Sequence, residues 1–280
     1  MGQNKRRCTL NSTLFNLNHH PSAPCPLPPT LHLPHWYNLM HNIINRLFPK
    51  HCISCSQQWD YLCLPCKRKL SPHPEICPYC HRASKDYATC LDCKMEKENY
   101  LEWIIIPFAY TDEVKKLILK VKYYHKKDVI NFLVDRMIIA LQTNQILQQN
   151  LENPAFCTLH SALISFVPSH RYRRLFVKGY NQSELLAKNL ASKLSLECKQ
   201  FVKKTKRTKS QAQLSRAGRL KNLKDAFALD SKNSLNGNET ILLVDDVTTT
   251  WSTLNQIAKV IKTEFPKIKI RGIVIARHMG

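Results

Sequence analysis

The chain comprises 280 residues, of which 42 are Lys or Arg and 20 are Asp or Glu, so that its formal net charge is +22. A chain of this length with 44% hydrophobic residues can bury one large core and one small one, which excludes disorder throughout. Its 6 glycines form neither a Gly-x-x-x-x-Gly-Lys loop nor a Gly-x-Gly-x-x-Gly turn, which argues against an NTPase motor and a dinucleotide-dependent dehydrogenase.

The first 46 residues are rich in Asn, His, Pro and Ser, and residues 21–34 carry no charge. Such a segment buries little apolar surface, which predicts a disordered tail. Met40 fits an alternative start and equally an ordinary internal methionine. We find no apolar signal segment and no run of about 18 apolar residues, so we expect a cytoplasmic protein without a transmembrane segment.

Eight of the 12 cysteines form four Cys-x-x-Cys pairs: Cys52 and Cys55, Cys63 and Cys66, Cys77 and Cys80, and Cys90 and Cys93. Two intervening residues let one turn present both thiolates to one ion, and two such pairs complete a tetrahedral site. Without a secretory signal, metal binding is favoured over disulfides. We therefore predict two closed, structural zinc sites. The spacing leaves sequential and interleaved pairing open.

The turns of this cysteine region are short and contain several prolines, which predicts knuckles rather than helices. The three neighbouring histidines, His51, His73 and His81, are interpreted as surface residues rather than as ligands.

Beyond residue 98, patterns typical of strands and helices alternate. The predicted strands cover residues 103–110, 162–167, 240–244 and 268–276. One predicted helix begins at Glu113, and three others cover residues 129–148, 181–194 and 252–263. Residues 199–224 are predicted to form a basic loop region. This alternation favours an α/β fold with a parallel sheet.

An acid pair, Asp245 and Asp246, follows the strand at 240–244, and a turn rich in hydroxyl groups precedes the next helix. Ligands bind at the carboxyl ends of strands in open α/β sheets, and backbone N–H groups at a helix start favour a phosphate. The acids can accept hydrogen bonds from ribose hydroxyls, directly or through Mg²⁺. The alternative to a ligand site is an ordinary strand end at which an Asp caps the following helix.

Two more stretches accompany the acid pair. One covers residues 167–174 and 178–187, which read VPSHRYRR and KGYNQSELLA; the other covers residues 208–216, which read TKSQAQLSR, and continues to Arg219, Asn222, Ala226 and Phe227. The first follows a predicted strand and so reaches the same sheet edge as Asp245, where its cations suit a pyrophosphate. Most of the second lies in residues 199–224, which contain ten Lys or Arg and no acid and suit a flexible active-site flap or a nucleic-acid contact.

The acid pair and its turn resemble the phosphoribosyl-pyrophosphate motif of type I phosphoribosyltransferases. Together with the two stretches and the cysteine pairs, they resemble the ComF competence-protein family, also described as amidophosphoribosyltransferase-like, over residues 48–277. The resemblance implies a phosphoribosyltransferase-like parallel sheet flanked by helices, preceded by a small double zinc ribbon with sequential pairing. The implied division is a tail over 1–46, a zinc module over 47–98 and an α/β domain over 99–280.

The resemblance also implies roles for particular residues. Asp245 and Asp246 would be catalytic and hold the ribose. The residues expected to bind the cofactor are Thr249, Thr250, Trp251, Ser252, Thr253, Pro168, Ser169, His170, Arg171, Arg216 and Arg219. The family has Gly at the position of Trp251, so we expect the indole either to point outward, leaving the turn intact, or to narrow the site.

The implied function is DNA uptake in natural transformation, with phosphoribosyl pyrophosphate or a nucleotide bound together with Mg²⁺. The net charge of +22 favours a polyanion, which in this family would be single-stranded DNA, and other DNA-uptake proteins are further candidate partners. Two alternatives remain: an active phosphoribosyltransferase of unknown acceptor, and an adaptor that kept the fold and lost its ligand.

Overall fold

A parallel β-sheet forms the centre of the structure. This computed structural model describes residues 51–58, 62–96, 98–124, 127–144, 162–169, 180–205, 226–230 and 235–278. The predicted tail over 1–46 lies outside the described residues. Pro49–Gly280 forms one compact unit, which contains both the cysteine region and the sheet.

The elements alternate as the sequence predicts. The strands are β1 (Ile104–Ile105), β2 (Phe108–Ala109), β3 (Ala162–Phe166), β4 (Val202–Lys204), β5 (Phe227–Leu229), β6 (Thr240–Thr248) and β7 (Lys269–Arg277). The α-helices are α1 (Leu64–Arg68), α2 (Leu91–Met95), α3 (Asp112–Tyr124), α4 (Lys127–Thr143), α5 (Gln182–Leu194) and α6 (Ser252–Glu264). A 3₁₀ turn covers Lys85–Tyr87.

In the central sheet β3 pairs with β6, β6 with β7, and β7 with both β1 and β2, and all these pairings are parallel. The strand predicted over residues 103–110 is therefore two short strands. Pro107 lies between them and has no N–H group to donate to β7, which explains the interruption.

Alternate residues of the strands face two different hydrophobic clusters, because side chains along a strand point to opposite faces. Leu242 and Val244 pack with α3, α4 and α5, and we call this cluster the first core. Ile241 and Leu243 pack with α6, and we call this cluster the second core. Helices thus cover both faces of a mostly parallel sheet, which confirms the predicted fold class.

Three further predictions from the sequence need correction. β6 continues through the acid pair to Thr248 instead of ending at residue 244. Within the predicted basic loop, β4 forms an antiparallel pair with β5 outside the central sheet, while residues 206–225 lie outside the described residues. The cysteine region was predicted to lack helices but contains two short ones, α1 and α2. Each begins directly after the third cysteine of its group.

Among the described residues, no helix is both long enough and apolar enough to cross a lipid bilayer.

Candidate functional sites

The structure brings the eight paired cysteines together in two groups. The first group contains Cys52, Cys55, Cys63 and Cys66, and the second contains Cys77, Cys80, Cys90 and Cys93. The sulfurs of each group all lie within 4.8 Å of one another. This is the sequential grouping that the family resemblance implies.

The sulfur distances fit zinc. The Sγ atoms of Cys55 and Cys63 are 3.5 Å apart, and those of Cys80 and Cys90 are 3.7 Å apart. Four thiolates at the Zn–S distance of about 2.3 Å form a tetrahedron with edges of about 3.8 Å. Both groups could therefore hold a structural metal ion with four thiolate ligands.

The two cysteine groups repeat one backbone plan. In each, the residue after the second cysteine has a φ of 63°, at Ser56 and at His81. Its amide N donates to the carbonyl of the first cysteine, over 2.7 Å in the first group and 3.1 Å in the second. This left-handed residue turns the chain directly after the second cysteine, where the two sulfurs of the pair lie within 4.8 Å of each other.

Two of the three histidines near the cysteine groups are exposed, as predicted, but His73 is only 3% exposed. Its predicted surface position is wrong because the segment after α1 packs against β2, where the amide of Ala109 donates to the carbonyl of Ser71 at 2.9 Å.

The acid pair lies in the last half of β6. Asp245 is buried, and its Oδ1 accepts hydrogen bonds from the Ser183 hydroxyl at 2.7 Å and from the Asp246 amide at 2.9 Å. Burial, followed by the charge of Asp246, raises the pKa of Asp245 to about 8. A buried acid beside a second, half-buried acid favours a bound cation or hydrogen-bond donors from a ligand, so the chemistry of these residues fits Mg²⁺ or ribose hydroxyls.

The loop from Thr248 to Ser252 joins β6 to α6. The Thr248 hydroxyl accepts from the Trp251 amide at 3.2 Å, and the hydroxyls of Thr250 and Ser252 form a hydrogen bond with each other. α6 begins at Ser252, so the N–H groups at its start and the positive end of its dipole lie directly after the hydroxyl-rich turn. This arrangement can bind an anionic group.

The Trp251 side chain does not point outward, which was one of its two predicted positions. Its backbone has φ 57° and ψ −7°, the left-handed conformation that favours glycine, while its side chain is 2% exposed in the second core. The Arg277 guanidinium lies 5.3 Å from the centre of the indole ring. The chain therefore keeps a glycine-like turn at this position and uses the side chain as a core anchor below the loop.

The first half of the predicted pyrophosphate loop lies beside the acid pair. Val167 donates its amide to the Val244 carbonyl at 3.1 Å, and Pro168 and Ser169 follow it at the same edge of the sheet. Asn181, just before α5, donates to the Val167 carbonyl at 2.9 Å. The other predicted cofactor-binding residues, His170, Arg171, Arg216 and Arg219, lie outside the described residues.

The sequence patterns did not predict the roles of two residues at this edge of the sheet. Ser183 lies in the stretch that carries the resemblance, but only the structure brings its hydroxyl to Asp245. Arg277 ends β7, and its Nε donates to the Thr249 carbonyl at 3.3 Å, while burial lowers the pKa of its guanidinium. The signal for Arg277 was its position at the carboxyl end of a parallel strand next to β6.

Asn255 connects α6 to the second cysteine group. Its Oδ1 accepts hydrogen bonds from the Tyr79 hydroxyl at 2.7 Å and from the Tyr100 amide at 3.0 Å, and its Nδ2 donates to the Glu98 carbonyl at 2.7 Å. Tyr79 lies inside the third Cys-x-x-Cys pair. The first turn of α6 is thus held by the segment that forms the second group.

Comparison with known proteins gives several relatives. The chain is 30% identical to competence protein F of Haemophilus influenzae over 236 residues, which cover 82% of this chain and 98% of that protein. It is 27% identical over 202 residues to the DNA utilization protein YhgH of Escherichia coli K12, covering 71% and 83% of the two chains. It is 24% identical over 208 residues to competence protein ComFC of Bacillus subtilis, covering 71% and 77%. No protein-family model matches the chain. With this identity over nearly the whole of a relative, together with the two four-cysteine groups, the chain belongs to the ComF family of competence proteins.

Proposed function

We propose that this protein acts in DNA uptake during natural transformation, in the cytoplasm, by binding phosphoribosyl pyrophosphate or a related nucleotide with Mg²⁺ and contacting single-stranded DNA. The relatives named for competence and for DNA utilization support the DNA-related role. The observation that carries the ligand proposal is the buried Asp245 beside Asp246, at the point where β6 leads into the hydroxyl-rich loop and α6.

In this proposal the acid pair holds the ribose. The described hydrogen bonds use Oδ1 of both acids: Asp246 Oδ1 accepts from the Val247 amide at 2.8 Å, and Asp245 Oδ1 accepts from Ser183 and from the Asp246 amide. The second carboxylate oxygens are then the natural acceptors for vicinal hydroxyls or ligands of Mg²⁺. Ser183 is a positioning residue, since it fixes the carboxylate plane of Asp245.

The phosphate would bind at the loop and the start of α6. Thr249, Thr250, Ser252 and Thr253 supply hydroxyl groups, and the first turn of α6 supplies N–H groups with the helix dipole behind them. The left-handed conformation of Trp251 supports this role, because it is one that glycine, the residue at this position in the family, adopts without strain. This observation favours a ligand-binding protein over an adaptor with a degenerate site.

A pyrophosphate group would extend toward Pro168 and Ser169, which lie beside β6. We propose that His170, Arg171, Arg216 and Arg219 complete its binding, since cations and histidine suit charge-assisted hydrogen bonds to phosphate oxygens. An active phosphoribosyltransferase would use the same groups to stabilise the leaving pyrophosphate. Turnover with a panel of bases and amines distinguishes that enzyme from a binder.

Contact with single-stranded DNA is proposed from the charge of the whole chain, +22, and from the basic segment that includes β4. Lys203 on β4 is exposed, and the Lys204 ammonium lies 5.6 Å from the centre of the Phe227 ring. Phe227 is buried in the second core, so this segment would contribute its cations, which suit the phosphates of a nucleic-acid strand. Affinity should then fall steeply as the salt concentration rises.

Titration calorimetry with phosphoribosyl pyrophosphate tests the ligand proposal. We expect binding that requires Mg²⁺ and that Asp245→Asn combined with Asp246→Asn abolishes. The matched control is Asp135→Asn combined with Glu264→Gln, which removes two acids elsewhere on the surface and should leave the affinity unchanged. Unaltered binding in the first variant would refute the proposed role of the acid pair.

A further inference from the structure

Two arginines of β7, Arg271 and Arg277, are buried in similar surroundings. Arg271 is 6% exposed and Arg277 is 7% exposed. The guanidinium of Arg271 lies 5.4 Å from the centre of the Trp103 ring, and that of Arg277 lies 5.3 Å from the centre of the Trp251 ring. Each arginine also donates its Nε to an oxygen of a neighbouring segment. One strand therefore contains two comparable arginine sites.

The oxygens that the two arginines contact differ in charge. Arg271 Nε donates to the Glu102 carboxylate at 2.8 Å, which balances the charge of this guanidinium. Arg277 Nε donates to the main-chain carbonyl of Thr249 at 3.3 Å, which is neutral. In the part of the chain that the structure describes, Arg277 forms no ion pair with a carboxylate.

The missing counter-charge makes Arg277 unusual, because a buried cation is unfavourable unless an anion compensates its charge. Burial lowers the pKa of the Arg277 guanidinium, and no acid contributes an opposing effect. The guanidinium still carries its proton at neutral pH, since the ordinary pKa of arginine lies above 12. The protein thus keeps an unbalanced positive charge at the carboxyl end of β7.

This charge lies directly against the loop that joins β6 to α6. β7 pairs with β6 up to the register of Thr248 with Arg277. The bond from Arg277 to the Thr249 carbonyl also orients the next amide, because the C=O and N–H groups of a trans peptide point in opposite directions. The Thr250 N–H therefore points away from Arg277, and among the described residues it has no acceptor.

We propose that Arg277 is a positioning residue of this loop and that a phosphate group bound to the loop balances its charge. The inference rests on the proposed phosphoribosyl ligand and names a residue that determines its affinity. The guanidinium holds the Thr249 carbonyl and the Trp251 indole, so the loop keeps its shape before the ligand binds. A bound phosphate then acts on Arg277 as Glu102 acts on Arg271, although one peptide group separates the two charges.

Titration calorimetry of the full chain with ribose 5-phosphate, and with phosphoribosyl pyrophosphate and Mg²⁺, tests this proposal. Arg277→Gln keeps an N–H donor but removes the charge, and it should weaken the binding of both ligands by about tenfold or more. Arg277→Met, a second neutral variant that can still pack on the indole, should show a similar loss. Arg277→Lys restores the charge and should bind within about threefold of the parent.

Arg271→Gln is the matched control, since it removes the same charge from the same strand beside a tryptophan. It should leave both affinities unchanged. Thermal unfolding gives a second measurement: ribose 5-phosphate should raise the melting temperature of the parent, of Arg277→Lys and of Arg271→Gln by similar amounts. It should raise the melting temperature of the neutral Arg277 variants by much less.

Three results would overturn the role of Arg277 alone. One is unchanged affinity in the neutral Arg277 variants while Asp245→Asn combined with Asp246→Asn abolishes binding. Another is an equal loss in Arg277→Lys and Arg277→Gln, which would mean that packing rather than charge determines the affinity. The third is an equal loss in Arg271→Gln. Failure of the parent to bind either ligand would instead refute the proposed function, and this inference with it.

Discussion

The two cysteine groups share a backbone plan but support opposite faces of the sheet. In the first group, Cys52, Cys63 and Cys66 are part of the first core, together with side chains of α3, α4 and α5. The second group contacts the other face through Tyr79, which packs against the second core and holds Asn255 on α6. One group is therefore embedded in the main hydrophobic core, and the other braces a helix.

This difference indicates that equal metal sites need not have equal effects. Loss of an ion from the first group leaves buried thiols in the middle of a core, where charge and unfilled space are both unfavourable. Loss of an ion from the second group frees mainly the segment that contacts α6. We therefore expect the first group to govern folding and the second to govern the loop that precedes α6.

The largest expected effect comes from Cys63→Ser, compared with Cys77→Ser. Each variant should retain one zinc ion instead of two, because four thiolates fill one site. Cys63→Ser should remove most of the folding stability, by roughly 5 kcal/mol or more, since structural zinc contributes on that scale. Cys77→Ser should keep a cooperative transition. Metal content by mass spectrometry and unfolding in denaturant measure both quantities.

Equal destabilisation by the two cysteine variants would contradict the division between the faces. A metal content of two ions in either variant would instead contradict the assignment of these thiols as ligands.

The second largest effect concerns Trp251, whose side chain fills the second core. Trp251→Gly should destabilise the protein by about 2–4 kcal/mol, because removal of a buried Trp side chain costs about 3–5 kcal/mol and relief of the left-handed backbone returns about 1 kcal/mol. Trp251→Phe is the control and should cost less, since it keeps a ring in the core. Thermal unfolding measures the series, and a stability gain for Trp251→Gly would show that the indole is not an anchor.

The case of Trp251 shows why the sequence predicted only part of the site. The order of strand, acids, hydroxyl turn and helix located Asp245 and the loop, because this pattern is local in the chain. The direction of the indole depends on the space between α6 and the sheet, which packing over long sequence distances determines. The contacts of Asn255 with Tyr79 and of Ser183 with Asp245 join residues 176 and 62 positions apart, and no local pattern contains them.

The fold was easier to predict than its details. Alternating apolar patterns indicated the strands and helices of the sheet, because burial on one face sets their period. The division of the first strand at Pro107 and the continuation of β6 to Thr248 both depend on pairing with β7, which the sequence of one strand alone does not reveal.

A smaller effect is expected from the bridge between the second cysteine group and α6. The Tyr79 hydroxyl donates to Asn255 Oδ1 and accepts from the Leu101 amide at 3.0 Å. Tyr79→Phe leaves the Leu101 amide without this acceptor, while Asn255 Oδ1 keeps the Tyr100 amide as a donor, so the change should cost about 1–3 kcal/mol. It should keep both zinc ions. If the loop binds phosphoribosyl pyrophosphate, affinity should fall by roughly three- to tenfold, since the start of α6 is less firmly held.

Tyr87→Phe is the matched control for this bridge. Its hydroxyl oxygen lies 2.7 Å and 3.0 Å from the carbonyl oxygens of His73 and Ile106, so its single proton is donated or shared there, away from α6. It should cost a similar amount of stability and leave the affinity of the ligand unchanged. Equal loss of affinity in both variants would mean that the effect comes from general destabilisation.

The smallest expected effect is a gain in stability from Asp245→Asn, at the buried member of the acid pair. The pKa of Asp245 is raised to about 8 from an ordinary value of 3.8, so between these values the folded state keeps a proton that the unfolded chain releases. The stability linked to this proton is fully present below about pH 4 and is lost as the pH rises through about 8.

Asn keeps an acceptor for Ser183 and does not titrate. Without Mg²⁺, the variant should therefore be more stable than the parent by about 1–3 kcal/mol at pH 8, with a difference that grows from pH 6 to pH 8, because each pKa unit corresponds to about 1.4 kcal/mol. Unfolding in denaturant at several pH values measures this difference, and Asp246→Asn, at the less buried acid, should show a weaker dependence. A difference that stays constant with pH would show that Asp245 is already ionised in the folded protein. The acid pair would then be stable without a bound cation, unlike the cysteine groups.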